Sequence, residues 1–361
     1  MKLAIVKGLA ALALFTAVLP VQAQDITQYP VFHIEPLREK GSQHVDLPAL
    51  STFSYLPAEG HEKKSMCLLM PTTQDAVFIA YMYGAISEAQ RLGQSVTIFD
   101  AGGYGHDVNQ RAQFENCITS GAAAILLQPI NPTGWENDIA EARKAGVKVL
   151  NVIEPVDSPV DARVVVDFRV NGKLLGETIA KAHEGKEGPA NVVILPGPAG
   201  LPFVEDTVAG VQEALKGTDA KILKVMYGDV DAATQLKLVE DALVAFDDID
   251  YIVGAGIAVK QAVNVLAQQG RTDDIQLLAT YLDKQLLGYI REGSVMAGAA
   301  EGSTQLTAIA MNLAVSAFEG NGKNEDFIPS VVVVNKDNVD DPVIEAANFA
   351  PDGWKPEFKS E

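Results

Sequence analysis

Five histidines and two cysteines are the residues from which a metal or nucleophile site would first be sought, and their spacing builds neither. His33, His44, His61, His106 and His183 never fall three or four residues apart, and no H-E-x-x-H or C-x-x-C spacing occurs. The segment EGSTQ at Glu301–Gln305 is not the G-x-S-x-G of a nucleophile elbow. In VGAGIAV, Gly254 and Gly256 lack the third glycine of a dinucleotide loop, Val259 standing in its place, so the stretch reads as a tight strand-to-helix turn. No enzyme, metal or cofactor signature is left, and the chemistry that remains is that of binding.

Binding groups gather where apolar runs end. Thr72, Thr73, Asp75 and Phe78 follow MCLLMP, and Tyr104 follows Gly102 and Gly103 in DAGGYGHD. Asp167 and Phe168 close ARVVVDF, and Tyr281 closes IQLLATY. Hydroxyls at such places can bond a polar solute, rings can cover an apolar one, and paired glycines let the backbone come close. Each residue also has a structural reading: Asp75 as the N-cap of the helix after it, each aromatic as a core side chain. Four aromatics at four separate strand ends weigh against the core, whose rings fall on strand bodies and helix stripes.

The elements that position these residues alternate. MCLLMP, SVTIFDAG, AAILLQPI, VKVLNVI and ARVVVDF read as strands, with helices near 75–92, 108–120 and 136–145. A second series follows with NVVILPGP, KILKVMYGD, IDYIVGAG and IQLLATY, and helices near 171–183, 204–216, 232–246 and 257–269. Continuous apolar strands separated by helices imply parallel sheet covered on both faces. Two such series, with a break around EPVDSP, imply two doubly wound α/β lobes, and ligands bind outside the C-terminal ends of such strands. The helical stretch GSTQLTAIAMNLAVSAFEGNG comes after the second series with an apolar stripe that the first lobe must cover. The chain is therefore expected to cross between lobes more than once, giving a multi-segment hinge suited to closure on a ligand. The expected division is 1–23 signal peptide, 24–65 irregular N-terminal extension, 66–165 with 302–328 as one lobe, and 166–301 with 329–361 as the other lobe and tail.

Lys2 and Lys7, the run LAALALFTAVL and the small-residue site VQA form the pattern of a cleavable export signal, with a membrane-anchoring first helix as the alternative. Without residues 1–23 the chain has 26 basic and 47 acidic side chains, a formal charge of −21. Such a surface repels nucleic acid and anionic lipid. In an exported protein the two cysteines, Cys67 and Cys117, are expected to pair, two buried thiols being the alternative.

The order of elements resembles the type I periplasmic binding proteins of the ribose-binding class, and within it the TorT-like branch. The resemblance runs from about Met66 to APDGWKPEF and is carried by MCLLMPTTQD, DAGGYG, GAAAILL, DIDYIVGAGIA, TYLDKQLLGYIREGSVMAGAAEG and the cysteine positions. It implies a soluble periplasmic solute-binding protein, without cofactor, that signals to the periplasmic domain of a membrane sensor kinase; the alternative is delivery to an ABC permease. Sugar-binding members carry an Asn-Asp pair and an Asp where this chain has Gly256-Ile257 and Tyr281. In the TorT-like branch an aromatic box holds a methylated nitrogen, and the resemblance assigns that box to Phe78, Tyr104, Phe168 and Tyr281, with Glu301 as its acidic member. Phe78 and Phe168 stand where the branch has tryptophan. The expected ligand is a small methylated amine of the trimethylamine N-oxide type, with Thr72 and Asp75 beside it.

Overall fold

The computed structural model describes residues 28–34, 47–322 and 325–356, so the export signal expected over 1–23 lies outside the described residues. The first half of the chain runs β1 (Gln28–Ile34), β2 (Ser51–Ser54), β3 (Ser65–Met70), α1 (Val77–Arg91), β4 (Ser95–Asp100), α2 (Asp107–Thr119), β5 (Ala124–Leu127), α3 (Glu136–Lys144), β6 (Lys148–Ile153) and β7 (Ala162–Val165). Next come α4 (Phe168–His183), β8 (Ala190–Leu195), α5 (Pro202–Leu215), β9 (Ala220–Val225), α6 (Ala232–Ala245), β10 (Tyr251–Gly254), α7 (Gly256–Gln268), β11 (Gln276–Ala279), α8 (Lys284–Glu292) and β12 (Ala297–Ala300). The last elements are α9 (Ser303–Phe318), β13 (Asp326–Pro329), β14 (Val332–Asn335) and α10 (Pro342–Asn348).

They form two sheets. The first has the order β2-β1-β13-β7-β6-β5-β3-β4 and the second β14-β12-β11-β10-β8-β9. Strands β3 to β7 are parallel, as are β8 to β12; the central ones are buried on both faces, and helices return the chain in the same direction everywhere except between β6 and β7, while the edge strands β4 and β9 stay partly exposed. Each sheet ends in antiparallel strands. β1 pairs with β13 and β2, and β14 pairs with β12. Segment 24–65, expected to be irregular, thus supplies two strands of the first sheet. Its Pro30 and lack of period hide a strand held by pairing with a segment some three hundred residues away.

The chain passes between the sheets three times, after β7, after β12 and between β13 and β14. Helix α9 is buried on every face from Ser303 to Val315 because it packs among α1, β6, β7 and α10. Gly84 makes its crossing with α1 possible, since a Cβ there would run into the Thr304 carbonyl. Cys67 on β3 and Cys117 on α2 are joined by a disulfide, with their Cα atoms 6.3 Å apart. No helix among the described residues is long and apolar enough to cross a membrane.

Candidate functional site

The turn from β3 into α1 divides its polar residues between two tasks. The backbone N–H and hydroxyl of Thr73 donate to Asp100 Oδ2 at 3.0 and 2.6 Å, tying the ends of β3 and β4 together. Thr72 is buried, and its hydroxyl oxygen accepts from the Gln74 N–H at 3.2 Å inside the turn. Asp75 is not a side-chain cap: Ala76 begins α1 without one. Its carboxylate instead looks to the other lobe. Tyr281 donates its hydroxyl to Asp75 Oδ2 at 2.5 Å, and Lys260 Nζ lies 3.8 Å from Oδ1. One turn into α1, Phe78 meets Tyr81 edge to face with ring centres 5.6 Å apart, and the Tyr81 hydroxyl donates to Glu301.

Gly102 and Gly103, with φ of 97° and 131°, occupy backbone regions closed to most side chains and fold the β4–α2 turn so that Tyr104 reaches back. The Tyr104 hydroxyl donates to Glu154 Oε1 at 2.5 Å, and Gln128, just past β5, donates its amide N–H to the same oxygen at 2.9 Å. Glu154 follows Ile153, the one non-glycine residue with positive φ (65°) among the described residues. A β-branched side chain is strained there by about 1–3 kcal/mol, and such strain persists where the surroundings hold the residue after it in place.

At the lobe crossing, Asp167 caps α4 by accepting from the Val170 N–H at 3.1 Å, which sets Phe168 on the first turn. Phe168 lies 5.8 Å from Phe203 of α5, and Phe203 lies 5.6 Å from Tyr104 of the first lobe. Asn171, one turn further along α4, donates to Glu301 Oε2 at 3.3 Å. Two chains of contacts therefore run from one lobe to the other: Phe78–Tyr81–Glu301–Asn171, and Gln128–Glu154–Tyr104–Phe203–Phe168.

Burial governs the ionisation of this cluster. Desolvation raises the Glu154 and Glu301 carboxyls to about 7, partly offset for Glu154 by Tyr104 and Gln128 and for Glu301 by Tyr81 and Asn171. The charge of Glu301 adds to the rise at Glu154, so the two carboxylates feel each other. Tyr81, Tyr104 and Tyr281 are raised well above the ordinary phenol value, first by burial and then by the carboxylates they bond. All three are neutral donors. Among the described residues no three metal-ligating side chains converge.

The structure thus gathers Asp75, Phe78, Tyr104, Phe168, Tyr281 and Glu301 around one interlobe cleft and leaves the Thr72 hydroxyl engaged in its turn. Sequence reasoning missed Glu154, Phe203 and the amides Gln128 and Asn171. Glu154 carried the same signal as the others, standing at the C-terminal end of a strand, but EPVDSP read as the break between two series.

Residues 66–322 match the family model of the periplasmic binding protein domain. Periplasmic protein TorT of Escherichia coli strain K12 is 26% identical over 325 residues, which cover 89% of this chain and 91% of TorT. The solute-binding protein of an ABC transporter from Bradyrhizobium sp. BTAi1, solved with bound Bis-Tris, is 31% identical with a TM-score of 0.78, covering 92% of this chain and 98% of its own. TorT in complex with the TorS sensor domain and trimethylamine N-oxide has a TM-score of 0.75 at 24% identity, covering 82% of this chain and 100% of that one.

Proposed function

The chain belongs to the periplasmic binding protein family, whose members bind solutes and do not catalyse, and we propose that it is exported to the periplasm and closes its lobes on a small methylated amine of the trimethylamine N-oxide type. The observation that carries this reading is the composition of the cleft. Six rings, Phe78, Tyr81, Tyr104, Phe168, Phe203 and Tyr281, come from both lobes, and the sugar-gripping side chains of the class are replaced by Gly256, Ile257 and Tyr281. Aromatic faces attract a desolvated methylammonium by about 2 kcal/mol at best.

Closure is the output. Tyr281–Asp75 and Tyr104–Phe203 join opposite lobes, so they are complete only when the lobes are shut, and a ligand that favours the shut form shifts the population toward it. The reader of that state is the periplasmic domain of a membrane sensor kinase, by analogy with the TorS–TorT complex. The likeness to an ABC transporter's solute-binding protein along nearly the whole chain favours a second reading, delivery to a permease. Titration calorimetry with trimethylamine N-oxide, glycine betaine, choline, ribose and galactose tests the ligand class. Binding confined to the amines supports it, and tight binding of a sugar with none of the amines overturns it. Ligand-dependent capture by an immobilised sensor domain, against stimulation of a permease's ATPase in vesicles, separates the two partners.

A further inference from the structure

The polar groups of the cleft are unequally divided between donors and acceptors. Glu154 and Glu301 are 8% and 2% exposed, and among the described residues neither is bonded to a lysine or arginine. They are held only by neutral donors: Tyr81 from α1, Tyr104 from the β4–α2 turn, Gln128 after β5 and Asn171 from α4. Lys260, the ammonium beside Asp75, sits 2.6 Å from Asp283 and 3.8 Å from Asp75. All three tyrosine hydroxyls are committed, to Glu154, Glu301 and Asp75.

The amides tell the same story from the other side. Because Gln128 and Asn171 turn their N–H groups to the glutamates, their oxygens are what remains, and Gln128 Oε1 and Asn171 Oδ1 have no donor among the described residues although the side chains are 1% and 0% exposed. Asp75 Oδ1 is a third buried oxygen without a hydrogen-bond donor. Buried acceptors left unmatched are costly, and two buried carboxylates with no counter-ion more so. A solute oxygen entering here would find donors only by taking a tyrosine or amide away from a carboxylate. A solute that brings positive charge would balance the two carboxylates without taking a donor from either.

We infer, resting on the reading that the cleft takes a methylated amine, that Glu154 joins Glu301 as counter-charge to the cationic nitrogen and that the pair selects methylated amines over neutral solutes of the same shape. The rings cover the methyl groups, and the glutamates and amide oxygens face the polarised C–H edges of the cation. Glu154 is the residue this adds to the site, and the strained Ile153 backbone is the device that aims it. Binding of a cation lowers the proton affinity of the pair, so a part-protonated pair releases protons as the ligand enters.

The test compares choline with its neutral carbon isostere, 3,3-dimethylbutan-1-ol, by calorimetry at about pH 8. Wild-type protein should bind choline at least tenfold more tightly than the isostere. Glu154→Gln keeps the acceptor oxygen for Tyr104 and Gln128 while removing the charge; it should weaken choline tenfold or more and leave the isostere within twofold. Glu301→Gln should do the same, so one variant suffices if the other fails to fold. Near neutral pH, choline enthalpies measured in two buffers of different ionisation enthalpy should report proton release in wild type and none in the double variant. Choline affinity unchanged in both variants, or choline bound no more tightly than the isostere, overturns the inference and leaves the methylated-amine reading standing. Failure of every amine to bind overturns both.

Discussion

Removing one oxygen from Tyr281 tests whether closure and ligand affinity are the same event. In Tyr281→Phe the ring keeps its seat against Gly256 and Leu286, and only the 2.5 Å bond to Asp75 disappears. A hydrogen bond to a charged acceptor contributes about 1.5–3 kcal/mol. Lys260 at 3.8 Å can draw closer to the abandoned carboxylate, so the lower end of that range applies. About 1.5 kcal/mol is roughly a tenfold change in an equilibrium constant. The bond joins the two lobes and so exists only in the closed form; its loss therefore shifts the open–closed balance, and the apparent affinity falls by the same factor wherever the closed form is the minor one without ligand. Calorimetry reads the affinity, and small-angle scattering with and without ligand reads the closure. A tenfold weaker dissociation constant with a larger ligand-free radius of gyration is expected. Unchanged affinity and unchanged compaction, together with a lowered melting temperature, would show Tyr281 to be a packing residue and refute the reasoning.

Gly256→Ala places a Cβ 2.7 Å from Tyr281 Cε2 and 2.9 Å from Leu286 Cδ1; it should displace the ring and weaken the ligand as much as Tyr281→Phe or more, read by the same titration. Phe78→Trp with Phe168→Trp enlarges the two faces and should tighten trimethylamine N-oxide binding, since indole is the stronger cation receptor; no change would place these rings outside the box. Thiol alkylation of unreduced, denatured protein should label neither Cys67 nor Cys117, and reduction should lower the melting temperature by removing a cross-link over 50 residues, worth up to roughly 4 kcal/mol. Burial raises Glu154 and Glu301 from 4.5 to about 7, so the folded protein without ligand binds more protons than the unfolded chain in that interval. Their contribution to stability is whole below about pH 4.5 and is lost as pH rises through about 7; melting curves should therefore favour the Glu154→Gln/Glu301→Gln protein over wild type increasingly across that window, and parallel curves would contradict it.

What could be read from the sequence depended on whether a residue's surroundings are local. β3, β5, β6, β8 and β10 are buried on both faces, so their apolar runs announce parallel strands, and the helices between them begin and end close to where periodicity puts them. β12 is AGAA, too small to read as a strand; it exists because β11 and β14 flank it and because Leu282 packs where a side chain at Gly298 would stand. β1 is likewise made by its partner β13. The proposed site divides the same way. Phe78, Tyr104, Phe168 and Tyr281 could be found because topology alone sends strand ends to the cleft. Phe203 could not, since a ring on the first turn of α5 has nothing to mark it until the lobes bring it to Tyr104. Gln128 and Asn171 are uncharged polar residues whose meaning lies in which end of the amide is used, and a sequence does not record that.

On the proposed reading, Gly256 and Tyr281 together change the ligand class of this scaffold without changing its fold. In sugar-binding members, which this chain resembles in element order, side-chain acceptors stand after the last strands of the second lobe. Here the position after β10 has no side chain, and the space an Asn Cβ would need is filled by the Tyr281 ring from the end of β11. The two replacements require each other: an Asn at 256 would exclude the ring, and a small residue at 281 would leave a void beside Gly256. Together they turn an acceptor wall into an aromatic one with a single donor, and that donor is spent on Asp75 across the cleft. The acceptors do not vanish. They reappear nearer the hinge, as Glu154 at the end of β6 and Glu301 at the end of β12, each steadied by a tyrosine and an amide. A sugar needs acceptors spread around its ring, whereas a compact cation needs apolar walls beside negative charge, and the rings next to Glu154 and Glu301 are what support the second reading of this cleft.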